Sequence, residues 1–223
     1  MSQLVLDISH KSVPTLDNFV IGCNSELLST LRHALSGDSR ERSFYLWGED
    51  GCGKSHLLQA CLDAAKQAKC NTAYAIGTVP KLVPELAEVV AVDDVEQLDD
   101  TEQIALFDLY NQMRDSDGML LVSGQASPMH LKLRDDLRTR LGWGLVYQVH
   151  SLNDEDKSQA LAQHAQQKGF ILPPEVSQYL LCHGRRDLPS LMVILDALDR
   201  HSLRNKRAPS VPLLKEILQE KGV

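Results

Sequence analysis

The chain has 223 residues, of which 43% are hydrophobic and 24% are charged, and its formal net charge is −7. This acidic balance argues against free-standing DNA binding, which ordinarily uses a basic face. No apolar run is long enough for a membrane span, and the N-terminus has no basic-then-apolar signal pattern. We therefore expect a cytoplasmic protein without membrane contact. The five cysteines form no C-x-x-C pair, which favours reduced thiols.

Residues 1–12 contain the hexapeptide QLVLDI at positions 3–8, with apolar residues at every second position from Leu4. By pattern alone this is a small strand or a disordered end, and extended peptides of this kind also dock into grooves of partner proteins. A loop at 14–22 follows. Asn24 or Ser25 can then cap a helix that runs to about Leu35.

A predicted strand at 44–47 leads into the most informative motif of the chain. Gly48, Gly53, Lys54 and Ser55 fit G-x-x-x-x-G-K-[ST], the phosphate-binding loop. The glycines allow consecutive N–H groups to point at one anion, and the helix that follows directs its positive end at the same place. Lys54 would neutralise the β- and γ-phosphates, and Ser55 would hold Mg²⁺. We therefore predict nucleotide binding.

Two residues inside or beside this loop have a simpler interpretation. Cys52 could be redox-sensitive, but a small side chain that fills an unconstrained position is the simpler explanation. His56 follows the loop and is better explained as a packing or capping residue than as a catalyst.

The next segments alternate between strand and helix patterns. Apolar runs predict strands at 73–76, 89–94, 119–123 and 146–149, and an amphipathic helix is predicted at 101–113. This order predicts an α/β fold with a five-stranded parallel sheet flanked by helices. Ligands of such sheets bind at the carboxyl ends of the strands, where Gly48, Asp93 and Ser123 all fall.

Polar residues follow two of these strands. Asp93 would position Mg²⁺ and Asp94 could orient an attacking water, although a pair of acidic turn residues would look the same in the sequence. Gln125, after the next strand, could sense the γ-phosphate, and a solvated turn residue is an equally compatible interpretation.

Two arginines, Arg138 and Arg140, precede a Gly-Trp-Gly turn and the last strand. An arginine at this point of a ring-type ATPase can reach the γ-phosphate of a neighbouring subunit. On composition alone, a surface arginine paired with Asp135 or Asp136 is the simpler explanation.

Beyond His150 the pattern is helical. Several N-cap candidates at 151–156 precede a helix that runs to about Gln167, and further helices are expected at about 173–182, 188–203 and 212–218. The sequence thus predicts a peptide at 1–12, a nucleotide-binding α/β domain at 13–150 and a small all-helical lid domain at 151–223.

Several motifs resemble the ATPase core of the bacterial replication initiator DnaA, an AAA+ protein, and they occur in the same order. They are PTLDNFVIG at 14–22, the phosphate loop with the following HLL, VDD at 92–94 and RLGWGL at 140–145. The likeness spans roughly residues 14–220, so we expect no DNA-reading domain. Such a core is similar to the Hda family, the regulatory inactivators of DnaA. That similarity rests on FDLYN at 107–111, SLNDEDK at 151–157 and LDALDR at 195–200.

The resemblance implies binding sites for a nucleotide and for a protein. Bound ADP or ATP with Mg²⁺ would be held by Gly48, Gly51, Cys52, Gly53, Lys54, Ser55 and His56, with Phe19, Val20 and Ile21 packed on the adenine. In the family, a peptide Q-L-x-L-x-[LI] docks on the DNA polymerase III sliding clamp (its β subunit). The matching residues here are Gln3, Leu4, Leu6 and Ile8.

The resemblance also implies a function. Arg140 would enter the ATP site of DnaA as an arginine finger and promote hydrolysis, while DNA is reached indirectly through the loaded clamp. This interpretation also allows a homodimer. Pro189 falls where the family's nucleotide-sensing arginine is expected, with Arg185 or Arg186 nearby, and Gln125 replaces the expected Asp. Both departures predict inefficient hydrolysis at the protein's own site.

Two other functions fit parts of the sequence. The complete phosphate loop with Asp93 and Asp94 would suit a stand-alone AAA+ ATPase of the helicase-loader or DnaA type. A DNA-binding adaptor is a third interpretation, against which the acidic balance counts.

Overall fold

A computed structural model of the chain describes residues 13–37, 39–80, 87–184, 187–205 and 207–220. The predicted clamp-binding peptide with Gln3, Leu4, Leu6 and Ile8 lies outside these residues, as do Arg185 and Arg186.

Five parallel strands form one sheet in the order β2-β3-β4-β1-β5. Their bounds are β1 Ser43–Trp47, β2 Thr72–Ile76, β3 Val89–Asp93, β4 Met119–Gly124 and β5 Leu145–Gln148. Strands β3 and β4 are buried along their whole length, because helices cover both faces of the sheet. The predicted five-stranded parallel sheet with flanking helices is therefore confirmed.

Eight α-helices accompany the sheet within the described residues. They are α1 Ser25–Leu35, α2 Lys54–Gln67, α3 Asp100–Asp115, α4 Asp135–Leu141, α5 Asp154–Gln167, α6 Pro174–His183, α7 Leu188–Asn205 and α8 Val211–Glu220. The sequence predicts seven of them, with α2 expected directly after the phosphate loop, and it does not predict α4. That helix has only seven residues and buries only Leu137 and Leu141, which leaves little periodicity to detect.

Two apolar clusters cover the two faces of the sheet. On one face, α1 and α2 contribute Leu31, Leu57 and Leu58 to a cluster that also contains Leu46 of β1. On the other face, residues of α3 and α4 pack on Tyr45 and on Val90 and Val92 of β3.

Helices α5 to α8 enclose a third, separate cluster centred on leucines such as Leu161, Leu180, Leu195 and Leu214. No strand occurs in this part of the described chain, as the sequence predicted. None of the described helices is both long and apolar enough to cross a membrane.

Asn24 connects the beginning of α1 to the end of the sheet region. It occupies the N-cap position, but its side chain makes no capping bond. Instead, its Nδ2 donates to the His150 carbonyl at 3.0 Å, and its Oδ1 accepts from the His150 N–H at 2.8 Å. The predicted helix start is correct, whereas the predicted cap is replaced by this long-range pair.

Candidate nucleotide site

The phosphate loop lies between β1 and α2 and depends on its glycines. Gly51 and Gly53 have φ angles of +78° and +108°, which favour residues without a Cβ. A Cβ on Gly48 would lie 2.5 Å from the Val149 carbonyl oxygen, and one on Gly53 would lie 2.8 Å from the Phe19 ring. Gly51 and Gly53 are therefore required for their backbone conformation. Gly48 and Gly53 are required because a side chain would not fit.

Lys54 begins α2 and is held beside the loop. Its side chain is buried, and its ammonium group donates to the carbonyls of Gly48 at 2.7 Å and Glu49 at 3.1 Å. Ser55, the next residue, is exposed. The loop therefore carries a fixed positive charge and an accessible hydroxyl at a helix N-terminus, a combination that suits the phosphates of a nucleotide.

Cys52 and His56 are packing residues in this structure. Burial raises the pKa of the Cys52 thiol, although the nearby Lys54 charge opposes the shift, so the reactive thiolate is disfavoured. The His56 ring lies 5.5 Å from that of Phe19, and its Nε2 is 3.1 Å from the Thr15 carbonyl. Burial lowers the pKa of His56, which keeps the imidazole neutral.

The three residues predicted to contact adenine separate into two groups. Phe19 is buried in the core and touches the phosphate loop at Gly53. Val20 is half-buried, and Ile21 is 45% exposed. Val20 and Ile21 are therefore available to contact an adenine base, whereas the buried Phe19 ring packs against the phosphate loop.

Asp93 ends β3 and is almost fully buried. Ser123 Oγ donates to one carboxylate oxygen, and the Tyr74 hydroxyl donates to the other at 2.9 Å. Each oxygen thus accepts one hydrogen bond and keeps a second lone pair, and no cluster of three or more acidic, His or Cys ligands occurs in the described part of the chain. The Mg²⁺ role of Asp93 stays a prediction, and the exposed Ser55 hydroxyl would also suit the ion.

Asp94 follows Asp93 directly and has a left-handed backbone conformation, with φ +57° and ψ +58°. Burial raises the pKa of its carboxyl, and the adjacent Asp93 charge adds to the effect, while Lys54 opposes it. The influence of Lys54 and Asp50 places Asp94 on the side of the phosphate loop. Gln125 reaches the same loop, since its Nε2 donates to Asp50 Oδ1 at 3.3 Å.

Glu96 is a residue of this region that sequence reasoning missed. Both of its carboxylate oxygens are buried without a hydrogen bond of normal geometry, the only such side-chain atoms in the described chain. Burial raises its pKa, and the Asp94 charge contributes. In the sequence, only its position two residues after Asp94 indicates that Glu96 belongs to this site.

Arg134, which precedes α4, and the two arginines within α4 differ in whether they pair with a carboxylate. Arg138 binds Asp135 at 2.7 Å and Arg134 binds Asp136 at 2.9 Å. Arg140 pairs with no carboxylate among the described residues. Its guanidinium carbon instead lies 4.1 Å from the ring centroid of Trp143 and 5.4 Å from that of Phe107. Pairing with Asp135 or Asp136, the simpler explanation in the sequence, therefore applies to Arg138 and Arg134.

Arg140 lies far from the chain's own phosphate loop. Next to Trp143, Gly144 packs so tightly on Ser43, the first residue of β1, that a Cβ would lie 2.3 Å from the Ser43 carbonyl oxygen. The phosphate loop follows Trp47, at the other end of the same strand. Four residue steps separate the two ends of β1 by about 13 Å.

Comparisons with known proteins agree with this arrangement. A family model described as "Bacterial DnaA ATPAse domain" matches residues 80–148, and one described as "Hda, lid domain" matches residues 154–218. The chain belongs to the Hda family of DnaA-related AAA+ proteins. In this Hda-family protein, the phosphate loop and Asp93 lie in the AAA+ region, and α5 to α8 correspond to the lid.

Solved structures show the same fold. Domain III of the Thermotoga maritima replication initiation protein DnaA is 20% identical, with a TM-score of 0.79 over 94% of this chain and 97% of that one. AMPPCP-bound DnaA from Aquifex aeolicus is 20% identical, with a TM-score of 0.73 over 84% and 65%. The Thermotoga maritima RuvB Holliday junction branch migration motor is 16% identical, with a TM-score of 0.69 over 92% and 71%.

Proposed function

We propose that this Hda-family protein is a negative regulator of replication initiation that stimulates ATP hydrolysis by DnaA in trans. In this proposal it acts in the cytoplasm and holds ADP or ATP between an AAA+ domain at 13–150 and a lid at 151–223. Residues 1–12 dock it on the sliding clamp, and DNA is reached only through that clamp. Arg140 is then the arginine finger that enters the ATP site of DnaA.

The position of Arg140 is the observation that carries this proposal. The guanidinium lies at the amino edge of the sheet, and the protein's own phosphate site lies at the carboxyl edge, so Arg140 is positioned to serve a neighbour rather than its own nucleotide. It has no competing carboxylate among the described residues, and an aromatic surface fixes its direction. An arginine supplied in trans in this way stabilises the charge of the transition state.

The bound nucleotide has a structural role in this proposal. The lid touches the phosphate loop, since a Cβ on Gly51 would lie 3.0 Å from Asp187 Cβ. A nucleotide at that loop would contact both regions and set the angle between them. It thereby determines how the AAA+ domain presents Arg140 to DnaA.

The decisive experiment compares two arginines of the same helix. DnaA ATP hydrolysis is measured with DNA-loaded clamp, with wild-type protein, with Arg140→Ala and with Arg138→Ala. We expect Arg140→Ala to reduce the stimulation by at least about a hundredfold, because arginine fingers contribute large factors to kcat. Arg138→Ala removes only an exposed ion pair and should stimulate normally. Normal stimulation by Arg140→Ala would disprove the proposal.

A second experiment tests the docking step. Gln3→Ala combined with Leu4→Ala should abolish binding to the sliding clamp while nucleotide binding is retained. Stimulation should then require a much higher protein concentration, because the clamp no longer raises the local concentration near DnaA. Unchanged clamp binding would exclude the peptide as the docking element.

A stand-alone ATPase is the second candidate, favoured by Lys54 and Asp94 on one side of the phosphate loop. It predicts turnover without DnaA that is lost on Lys54→Ala. The amide side chain of Gln125, where the resemblance predicts an Asp, weighs against efficient turnover.

A further inference from the structure

Lys157, in the first turn of α5, is an unusual lysine. Its side chain is only 9% exposed, yet its ammonium makes no hydrogen bond or ion pair with any residue of the described chain. Lysines are seldom so buried without a partner. Its Nζ is not among the buried unpaired atoms, so the tip must reach solvent while the carbon stem is buried. The ammonium is therefore free to bind an anion.

Helices α5 and α7 begin close to the nucleotide site. A Cβ on Gly22, in the loop that would contact adenine, would lie 3.3 Å from the Asp156 carboxylate of α5. A Cβ on Gly51 of the phosphate loop would lie 3.0 Å from Asp187, the residue just before α7. Both helices therefore start at the same side of the lid and run away from the sheet in the same direction.

Contacts further along the two helices give their register. Asp196 of α7 accepts from His164 at 2.7 Å and from Lys168 at 2.9 Å, both on α5. The two contacts span 32 and 28 positions, so a residue of α5 lies about level with the residue some 30 positions later. Asp156 and Lys157 therefore lie near the level of the start of α7, where Pro189 is the second residue.

Helical periodicity directs Lys157 toward α7. It precedes His164 by seven residues and Lys168 by eleven, so all three lie on one stripe of α5. His164 and Lys168 show that this stripe faces α7. Because side chains of a helix lean toward its N-terminus, Lys157 points to the end of the lid that touches the phosphate loop.

We propose that Lys157 is the cation that the lid supplies to the phosphate groups of the bound nucleotide. Pro189 has no N–H and no charge, so at this level of α7 it cannot hold an anion. Lys54, already directed by two carbonyls, would approach the phosphates from the sheet, and Lys157 would approach them from the lid. The proposal rests on the nucleotide binding assumed in the proposed function and is independent of DnaA.

The test compares Lys157→Met, which keeps the stem and removes the charge, with Lys168→Met on the same stripe. ADP and AMP are titrated calorimetrically at two salt concentrations, and thermal unfolding checks the fold. We expect Lys157→Met to weaken ADP binding roughly tenfold and AMP binding less, with a smaller salt dependence. Lys168→Met should bind ADP like the wild type, and Lys157→Arg should restore most of the affinity.

Unchanged ADP affinity in Lys157→Met would overturn the inference, and so would an equal loss for ADP and AMP. If Lys157→Met does not fold, Lys157→Gln replaces it in the titrations, with the same expected loss of ADP affinity and the same results overturning the inference. Failure of the proposed function is a separate result, because it is measured as normal DnaA stimulation by Arg140→Ala. Lys54→Ala provides the control for loss of nucleotide binding at this site.

Discussion

The guanidinium of Arg140 stacks on the indole of Trp143 with 4.1 Å between the guanidinium carbon and the ring centroid. Trp143 is 59% exposed, and the rings of Phe107 and Tyr110 lie further beneath the same guanidinium. A long side chain at a surface normally samples many rotamers. The aromatic contacts restrict Arg140 to one direction and hold it at the amino edge of the sheet.

We predict that Trp143→Leu lowers the stimulation of DnaA by about two- to fivefold, since an exposed cation–π contact contributes about 0.5–1 kcal/mol. The effect should fall mainly on the maximal rate rather than on the concentration needed for half-stimulation, because the stack positions the finger. Trp143→Phe keeps an aromatic face and should retain most of the activity. Equal losses in both variants would contradict a stacking role.

The sheet and the phosphate loop could be predicted from the sequence because their signals are local. Four or five apolar residues mark each inner strand, and the spacing of Gly48, Gly53 and Lys54 is itself the motif. The lid helices were recognised for the same reason, as their apolar positions repeat with the helical period.

The remaining features depend on contacts between distant residues. The ring of Phe19 fills the space that Gly53 leaves open, 34 positions later in the chain, and the resemblance predicts only its contact with adenine. The Asn24 side chain does not cap its helix and instead forms a hydrogen bond with the backbone of His150. Asp93 accepts a hydrogen bond from the Tyr74 hydroxyl. Periodicity and motif spacing contain no information about such pairs, because they report only on neighbours in the chain.

The close packing of Gly144 on Ser43 predicts a sharp difference between two nearby glycines. A Cβ at Gly144 would lie 2.3 Å from a backbone oxygen that cannot move without disturbing β1, whereas a Cβ at Gly142 would be no closer than 3.5 Å to its neighbours. We expect Gly144→Ala to lower the free energy of unfolding by about 2 kcal/mol or more. Gly142→Ala should be close to neutral. Urea unfolding of both variants tests this, and equal stabilities would contradict it.

The lid contains a charge cluster with Asp196 and Asp199. Replacing each of these aspartates by Asn should change the stability of the protein differently. Burial favours the neutral form of Asp196, but hydrogen bonds from Lys168 and His164 outweigh it and hold its pKa below the ordinary value. The pKa of Asp199 is raised, chiefly by burial. At neutral pH, Asp196→Asn should therefore destabilise the protein by about 1 kcal/mol, and Asp199→Asn should be neutral or stabilising. Thermal unfolding distinguishes them, and a larger loss in Asp199→Asn would refute this account.

Glu96 should make the free energy of unfolding decrease as pH rises. Because its folded pKa is raised above the unfolded value, the folded state retains the proton longer as pH rises. The contribution of Glu96 to stability is therefore complete below the unfolded pKa of about 4.3 and decreases as pH rises through the folded pKa. Glu96→Gln removes the titration and keeps the shape. In urea unfolding from about pH 4 to pH 7, wild-type stability should fall relative to Glu96→Gln, and parallel pH profiles would show that the buried carboxyl does not titrate in this window.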